Sequence, residues 1–183
     1  MTAETVLTNA RIVLADEIVE GSLLLRDGAI AAIDSGPTRT GEDMGGDYVI
    51  PGLVELHTDH LEGHYAPRPK VRWNPIAAVL AHDAQVATAG ITTVLDALRV
   101  GMDDDADLAI VRKLADAIED SVRQDRLRAD HFIHLRCEVS APDCLKAFEN
   151  FETDDRVKLA SLMDHAPGQR QFVNLETYAY YYQ

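Results

Sequence analysis

The first fifty residues alternate short apolar runs with polar turn residues, which is typical of a small antiparallel β-structure. Asp27-Gly28 lies between two apolar runs and predicts a tight hairpin turn. Residues 35–47 are rich in Gly, Asp, Thr and Pro and predict a loop. We therefore expect a small β-domain over residues 1–48. Its predicted strands cover residues 5–15, 22–25 and 29–33.

From residue 49 onward the pattern changes to buried apolar runs that alternate with helical segments. Asn74-Pro75 is a favourable helix start, and Gly90 is a favourable stop. The acidic residues at 103–107 complement the positive end of a helix, so we interpret them as a helix start rather than as a metal site. Further strands are predicted over residues 91–98, 131–139 and 157–163, and helices over 77–89, from the acidic residues to 126, over 141–151 and after Asn174.

Strands that alternate with helices predict an α/β fold with a mainly parallel sheet, either open or closed into a barrel. A complete (β/α)₈ barrel takes about 250 residues, whereas roughly 135 follow the small β-domain. We therefore expect residues 49–183 to be the N-terminal part of a TIM-like barrel, with the chain truncated relative to a larger protein.

Composition and charge limit the classes of partner. The chain has 183 residues, of which 46% are hydrophobic, and its net charge is −14. An acidic surface argues against nucleic-acid and anionic-membrane binding. No secretory leader and no membrane-length apolar run is visible, and the two cysteines have no metal-knuckle spacing. We expect a cytoplasmic protein with reduced thiols, and a homo-oligomer is compatible with the sequence.

The segment Val-Ile-Pro-Gly-Leu-Val-Glu-Leu-His-Thr-Asp-His at residues 49–60 carries the strongest chemical signal. Residues two apart on a strand face the same way, so His57 and Asp59 can point toward one ion. An imidazole together with a carboxylate is typical of a catalytic site for a divalent metal, whereas a closed structural site would favour cysteines. We predict that His57 and Asp59 are metal ligands.

Other reactive side chains lie near the ends of the later strands, where ligands collect in parallel α/β folds. Glu138 and His165 are predicted as further metal ligands because each follows or ends a strand. His134, Arg136 and Glu138 share one face of their strand by parity. His82 and His131 are predicted to be structural, and His134 to be a buried or supporting histidine. The remaining strand-end residues are Asp96, Arg99 and Asp164.

The segment after the strand that carries His57 is predicted to contact substrate. His60 and His64 are four residues apart, and because Pro67 and Pro69 follow closely we expect a loop rather than a helix there. The next stretch contains the only dense basic cluster of this acidic chain. Cations in that density suit a substrate with several phosphate charges. The predicted substrate-binding residues are His60, His64, Arg68, Lys70, Arg72, Arg99, Arg136 and Arg170.

The 49–60 segment resembles the entry to the barrel in the amidohydrolase superfamily, where a Pro-Gly turn leads into a strand bearing His-x-His. This chain has Asp59 in place of the second histidine. That departure, with residues 61–69 and the Asp-His-Ala-Pro-Gly-Gln-Arg-Gln-Phe segment at 164–172, resembles the phosphonate-metabolism branch of the superfamily, which serves the carbon–phosphorus lyase pathway.

The resemblance implies a metal-dependent hydrolase that converts a ribose triphosphate ester to the monophosphate ester and pyrophosphate. It implies one or two divalent ions (Zn, Mn, Fe or Mg), with His57 and Asp59 as first-strand ligands, Glu138 as a bridging carboxylate and His165 as a fifth-strand ligand. One barrel strand would then be missing from the strands predicted above. The superfamily's later histidine and its terminal acid–base aspartate have no counterpart before Gln183. The catalytic residue is therefore unknown, and we expect the 183 residues alone to be inactive.

Two alternatives remain open at the level of sequence. A carbon–nitrogen hydrolase of the same scaffold, such as a cyclic amidase or deaminase, would use the same water-activating centre. The basic cluster would then have no evident role against a neutral ring. The other alternative is a non-catalytic metal-binding module.

Overall fold

The computed structural model describes residues 3–36, 38–101, 105–168 and 173–181. The chain divides into two compact units, Met1–Pro51 and Gly52–Gln183. The first unit contains five strands and the second contains four strands and five helices, among the described residues. None of the described helices is long and apolar enough to cross a membrane.

The first unit is a small β-sheet. Its strands are β1 (Glu4–Val13), β2 (Ile18–Arg26), β3 (Ala29–Ser35), β4 (Glu42–Asp43) and β5 (Tyr48–Val49). Strands β1 to β3 are antiparallel neighbours, and Asp27 and Gly28 join β2 to β3 with φ angles of 51° and 80°. Two consecutive positive φ angles define the type I′ turn that the Asp-Gly pair favours. The predicted hairpin is therefore confirmed. Ala10, Ile12 and Leu23 form the buried core of this sheet.

The second unit is an α/β structure with a parallel four-stranded sheet in the order β6-β7-β8-β9. The strands are β6 (Leu53–Thr58), β7 (Ile91–Val100), β8 (Asp130–Glu138) and β9 (Val157–Met163). The helices are α1 (His60–Tyr65), α2 (Pro75–Thr88), α3 (Asp105–Arg123), α4 (Cys144–Glu149) and α5 (Leu175–Tyr181). The predicted α/β class and the separate small β-sheet are confirmed.

The helix starts follow the sequence signals closely. The Asn74 side chain accepts a hydrogen bond from the Ala77 N–H at 3.2 Å, and Gly90 has a φ of 80° just after α2. The Asn174 side chain likewise accepts hydrogen bonds from the N–H groups of Glu176 and Thr177 at 2.8 and 3.1 Å. These contacts satisfy N–H groups that the first turn of a helix leaves without a backbone partner.

The prediction of a loop after the strand that carries His57 is wrong, because residues 60–65 form helix α1. Proline disfavours a helical conformation in the residue before it and cannot donate an N–H to the carbonyl four residues earlier, so it stops a helix from continuing but does not prevent a helix that ends before it. Pro67 therefore ends the helix near Ala66 without preventing it. Helix α4 is also shorter than the predicted 141–151, since it begins at Cys144 and ends at Glu149.

The strand count implied by the resemblance is also corrected. Strand β9 pairs directly with β8, β8 with β7, and β7 with β6, so no further strand lies between them in the sheet. His165 thus follows the fourth strand of the sheet rather than a fifth.

The buried core of the second unit lies between the sheet and its helices. Leu98 of β7, Leu135 of β8, Val79 of α2 and Ile118 of α3 are completely or almost completely inaccessible to solvent. Burying such side chains stabilises a fold by roughly 1.5–3 kcal/mol each. The helices thereby hold one face of β7 and β8 fixed, which leaves the opposite face of the sheet for polar side chains.

Candidate metal centre

The polar face of the sheet is built around β8, on which His134, Arg136 and Glu138 alternate with apolar residues. Side chains two apart on a strand share a face. The His57 ring meets the His134 ring edge-on, with 4.8 Å between their centroids. The Asp59 Oδ2 atom lies 3.2 Å from Arg136 Nη1. His57 and Asp59 thus both lie beside the same face of β8, although Asp59 is one residue past the end of β6.

Glu138 is held at the end of β8 by several donors and is only 3% exposed. Its Oε1 accepts hydrogen bonds from the His165 N–H at 2.9 Å and from the Ser140 hydroxyl at 2.7 Å, and its Oε2 contacts His165 Nδ1. Burial raises the pKa of Glu138, but the hydrogen bonds from His165 and Ser140 outweigh burial and lower that pKa to about 2. Glu138 is therefore an ionised carboxylate at neutral pH.

Arg99 extends this face on the β7 side of Glu138. Its Nη2 atom lies 3.6 Å from Glu138 Oε2. The backbone N–H of Arg99 donates to Glu62 Oε1 at 3.2 Å. Burial raises the pKa of Glu62, against the opposing effects of the Arg99 N–H and the Arg136 charge. Sequence reasoning missed Glu62 because the segment was expected to be a loop, for which strand or helix parity assigns no direction.

His134 has both ring nitrogens satisfied. Its Nδ1 contacts the Leu56 carbonyl at 2.9 Å and its Nε2 contacts the Ser161 hydroxyl at 2.7 Å. A neutral ring that donates from Nδ1 and accepts at Nε2 fits both partners. Burial lowers the pKa of His134 and favours this neutral form. This environment suits the predicted supporting role better than direct metal ligation.

His60 and His64 both contact Gln85 of α2. The His64 Nε2 atom lies 2.7 Å from Gln85 Oε1, and the His60 Nδ1 atom lies 3.3 Å from Gln85 Nε2. One amide side chain thus bridges two histidines four residues apart on α1. Their predicted contact with substrate stays a prediction, and Gln85 carried no signal in the sequence that would have pointed to this bridge.

The basic cluster forms an exposed turn between α1 and α2. Lys70 has a φ of 63°, and Arg68 and Val71 form an isolated bridge across the turn. The Arg72 guanidinium lies 6.0 Å from the centre of the Tyr65 ring. Among the described residues, neither Arg68, Lys70 nor Arg72 forms an ion pair with a carboxylate. Arg99 and Arg136 differ, since each faces a carboxylate, and the predicted anion ligand Arg170 lies outside the described residues.

Asp96 does not belong to the polar face, contrary to its predicted place among the strand-end residues. It shares parity with Leu98 and faces the helices, where it is fully buried. Its Oδ2 lies 2.8 Å from His131 Nδ1, and its Oδ1 lies 2.8 Å from His82 Nε2. Burial raises the pKa of Asp96, but the contacts with His131 and His82 outweigh burial and lower that pKa. The prediction that His82 and His131 are structural agrees with these contacts.

Asp83 completes this buried cluster on the α2 side. Its Oδ1 accepts from the Arg128 and Ala129 N–H groups at 2.8 and 3.1 Å, and its Oδ2 pairs with Arg128 Nη1 at 2.8 Å. His131 Nε2 lies 3.5 Å from Asp83 Oδ1. The pKa of Asp83 is lowered, because these hydrogen bonds outweigh the raising effect of burial. The cluster therefore ties α2 to both β7 and β8.

Of the four predicted metal ligands, Glu138 and His165 are in contact with each other, whereas His57 contacts His134 and Asp59 contacts Arg136. Imidazole and carboxylate donors fit a divalent ion chemically. No group of three or more potential ligands is close enough to hold an ion within the part of the chain that is described. The Asp59 Oδ2 atom is engaged by Arg136, so ligation by Asp59 uses the other carboxylate oxygen or displaces Arg136.

Comparisons with known proteins found relatives of this chain. No family model matches the chain. The chain is 44% identical over 182 residues to the α-D-ribose 1-methylphosphonate 5-triphosphate diphosphatase of Escherichia coli (strain K12), which covers 97% of this chain and 48% of that protein. It is 36% identical over 97 residues to a D-hydantoinase of Rhizobium radiobacter, covering 51% of this chain and 20% of the relative.

Two solved hydantoinase structures also match. A D-hydantoinase crystal structure is 21% identical with a TM-score of 0.48, covering 86% of this chain and 32% of the other. The L-hydantoinase (dihydropyrimidinase) of Arthrobacter aurescens is 20% identical with a TM-score of 0.45, covering 86% of this chain and 35% of the other. The chain spans about half the length of the diphosphatase that it matches. From its 44% identity over nearly its whole length, this chain is a relative of that diphosphatase.

Proposed function

We propose that the full-length protein hydrolyses α-D-ribose 1-methylphosphonate 5-triphosphate to the 5-phosphate ester and pyrophosphate, in the cytoplasm and as part of phosphonate degradation. The observation that carries the proposal is the 44% identity to the diphosphatase across 97% of this chain. The exposed cationic turn at Arg68, Lys70 and Arg72 supports it, because a triphosphate offers several negative charges to such a turn.

The architecture proposed with this function is a (β/α) barrel whose first four strands are β6 to β9, preceded by a small β-domain over residues 1–48. Ligands of such barrels bind at the carboxyl ends of the strands. Asp59 and His165 follow two of these strand ends, and Glu138 forms a third. The cationic turn lies in the connection that leaves β6, which suits a substrate bound at this edge of the sheet.

The proposed ligands of one or two divalent ions are His57, Asp59, Glu138 and His165. Bound there, a divalent ion would supply Lewis acidity and would neutralise phosphate charge. Glu138 is prepared for this role, since its lowered pKa keeps it ionised and its contact with Nδ1 orients the His165 ring. Loss of the Arg136 contact frees the Asp59 carboxylate.

The cations of the site bind and orient the polyphosphate. Arg68, Lys70 and Arg72 are exposed and free to engage phosphoryl oxygens without first breaking an ion pair with a described residue. Arg136 would exchange Asp59 for a phosphoryl oxygen when the metal binds. Cleavage of the anhydride bond between the first and second phosphoryl groups by water then leaves the 5-phosphate and releases pyrophosphate.

The experiment is to supply the full-length protein with a divalent metal and a ribose or nucleoside triphosphate, and to measure pyrophosphate separately from orthophosphate. Replacement of Arg68 and Arg72 by alanine should raise KM by roughly ten- to a hundredfold per lost contact, because a charge-assisted hydrogen bond contributes roughly 1.5–3 kcal/mol. Arg126→Ala is the matched control. Arg126 is also exposed, but it lies just before the amino end of β8, whereas the candidate site lies at the carboxyl ends of the strands. The proposal fails if no pyrophosphate forms, or if only orthophosphate does.

A carbon–nitrogen hydrolase is the second candidate, favoured by the 36% identity to the D-hydantoinase over half of this chain. A cyclic amide is neutral and would gain little from three cations. The same Arg68 and Arg72 variants therefore separate the two candidates. If the protein turns over a cyclic amide, and if the Arg68 and Arg72 variants have the same KM for that amide as the wild type, the carbon–nitrogen hydrolase is favoured.

A further inference from the structure

Cys137 and Cys144 are the two cysteines of this chain, and the fold brings them together. Cys137 lies on β8, one residue before Glu138, and is 4% exposed. Cys144 is the first residue of α4 and is partly exposed. Both cysteine side chains line the same groove.

The backbone around the pair is fixed on both sides. Cys137 is in register with Val100 at the end of β7. A Cβ atom added at the next residue, Gly101, would lie only 2.9 Å from the Cβ of Cys144. The start of α4 is therefore packed tightly against the end of β7, and the Cys144 N–H donates to the Ala141 carbonyl at 3.2 Å. These contacts hold Cys144 beside the strand pair that carries Cys137.

A solvent-accessible groove leads to the pair. Both cysteines line a cavity of about 440 Å³ whose other walls are mainly apolar, including Leu145, Phe148 and Leu162. Leu145 and Leu162 are 69% and 80% exposed among the described residues. Its apolar lining suits a small neutral reagent better than a highly charged one.

We propose that Cys137 and Cys144 are a redox-modification site at which a small neutral disulfide drives formation of an intrachain Cys137–Cys144 disulfide. The partly exposed Cys144 sulfur, as its thiolate, attacks one sulfur of the reagent, forms a mixed disulfide and expels one thiolate. The Cys137 sulfur then attacks the Cys144 sulfur and expels the second reagent thiolate. The two protein thiols are oxidised, one reagent disulfide is reduced to two thiols, and the two protein protons pass to those thiols.

The resting state of this site is the reduced pair. Both cysteines are free thiols, and the exchange proceeds through the thiolate form of the attacking cysteine. Because Cys137 directly precedes Glu138, the disulfide would bridge the β8–α4 connection that contains Glu138 and Ser140.

The test uses hydroxyethyl disulfide on the folded full-length protein, followed by alkylation of free thiols, trypsin digestion and mass spectrometry. Cleavage after Arg136 and Lys146 places both cysteines in one peptide, residues 137–146. The expected product is that peptide without alkyl groups and lighter by two hydrogen atoms. Formation of the Cys137–Cys144 disulfide from the mixed disulfide should be at least about tenfold faster than in urea-unfolded protein, because folding preorganises the pair.

Two variants identify the order of attack. Cys137→Ser should stop at a mixed disulfide on Cys144, whereas Cys144→Ser should leave Cys137 largely alkylatable only after unfolding. A persistent mixed disulfide in the wild-type protein, an interchain dimer through these cysteines, an unreacted peptide, or equal rates in folded and unfolded protein would each overturn the proposal. None of these outcomes depends on pyrophosphate release, so the result is separate from that of the proposed function.

Discussion

Asp96 offers a direct test of the buried cluster that supports the candidate site. Its carboxylate is fully buried and contacts His131 and His82 at 2.8 Å each. Asp96→Asn keeps the size of the side chain but removes its charge and places an N–H₂ donor beside one of the two rings. The substitution therefore breaks the cluster without leaving a cavity.

The size of the effect follows from these contacts. A hydrogen bond to a charged group contributes roughly 1.5–3 kcal/mol, and removal of one partner from a buried ion pair costs about 3–5 kcal/mol. The contact between Asp96 and His82 is close but lacks hydrogen-bond alignment. We therefore expect the free energy of unfolding to fall by about 3 kcal/mol, toward the lower end of that range.

The assay is urea unfolding of the full-length protein at neutral pH, with circular dichroism as the readout of the transition. Asp116→Asn is the matched control, because Asp116 pairs with Arg112 on the surface of α3 and its side chain is 64% exposed. The control should lose no more than about 0.5 kcal/mol, as exposed pairs contribute little. A loss below about 1 kcal/mol for Asp96→Asn would refute the reasoning that this cluster stabilises the sheet.

Three further outcomes are expected. The pKa values of Asp83 and Asp96 are lowered from 3.8, so the stability that these carboxylates contribute is complete above about pH 4 and is lost as pH falls through their pKa values in the folded state. Urea midpoints should therefore drop on acidification, and the drop should be smaller in Asp96→Asn. Asn74→Ala should lower the free energy of unfolding by about 1 kcal/mol through loss of the α2 cap, and an unchanged urea midpoint would contradict this. Gly101→Ala should destabilise by more than about 1 kcal/mol, since its φ is 86° and its Cβ would contact α4, whereas Gly63→Ala in open space should be neutral or stabilising by the same measurement.

Local sequence rules predicted the elements that local contacts determine. The Asp27-Gly28 hairpin, the Asn74 cap and the bounds of β9 all depend on neighbouring residues, and the structure has them as predicted. Strand parity also predicted that Arg136 and Glu138 share a face. Their neighbours from β6, β7 and β9 confirm that placement.

The parts that could not be predicted depend on contacts between distant residues. Helix α1 was missed because nearby prolines were given weight over the whole segment. Its two histidines contact Gln85, more than twenty residues away, which no local pattern indicates. The direction of Asp96 follows from which face of β7 the helices cover, and Glu62 reaches Arg99 across 37 positions. Parity assigns residues to one face or the other, but only the packing of helices decides which face is polar.

We propose that His57 and Asp59 bind a common divalent ion at the end of β6. The most direct test is anomalous diffraction from crystals of the full-length protein grown with Zn²⁺. We expect an anomalous peak bonded to a His57 ring nitrogen and an Asp59 oxygen at about 2.0–2.2 Å. An Asp59 carboxylate that stays on Arg136, with no peak beside His57, would contradict the proposal.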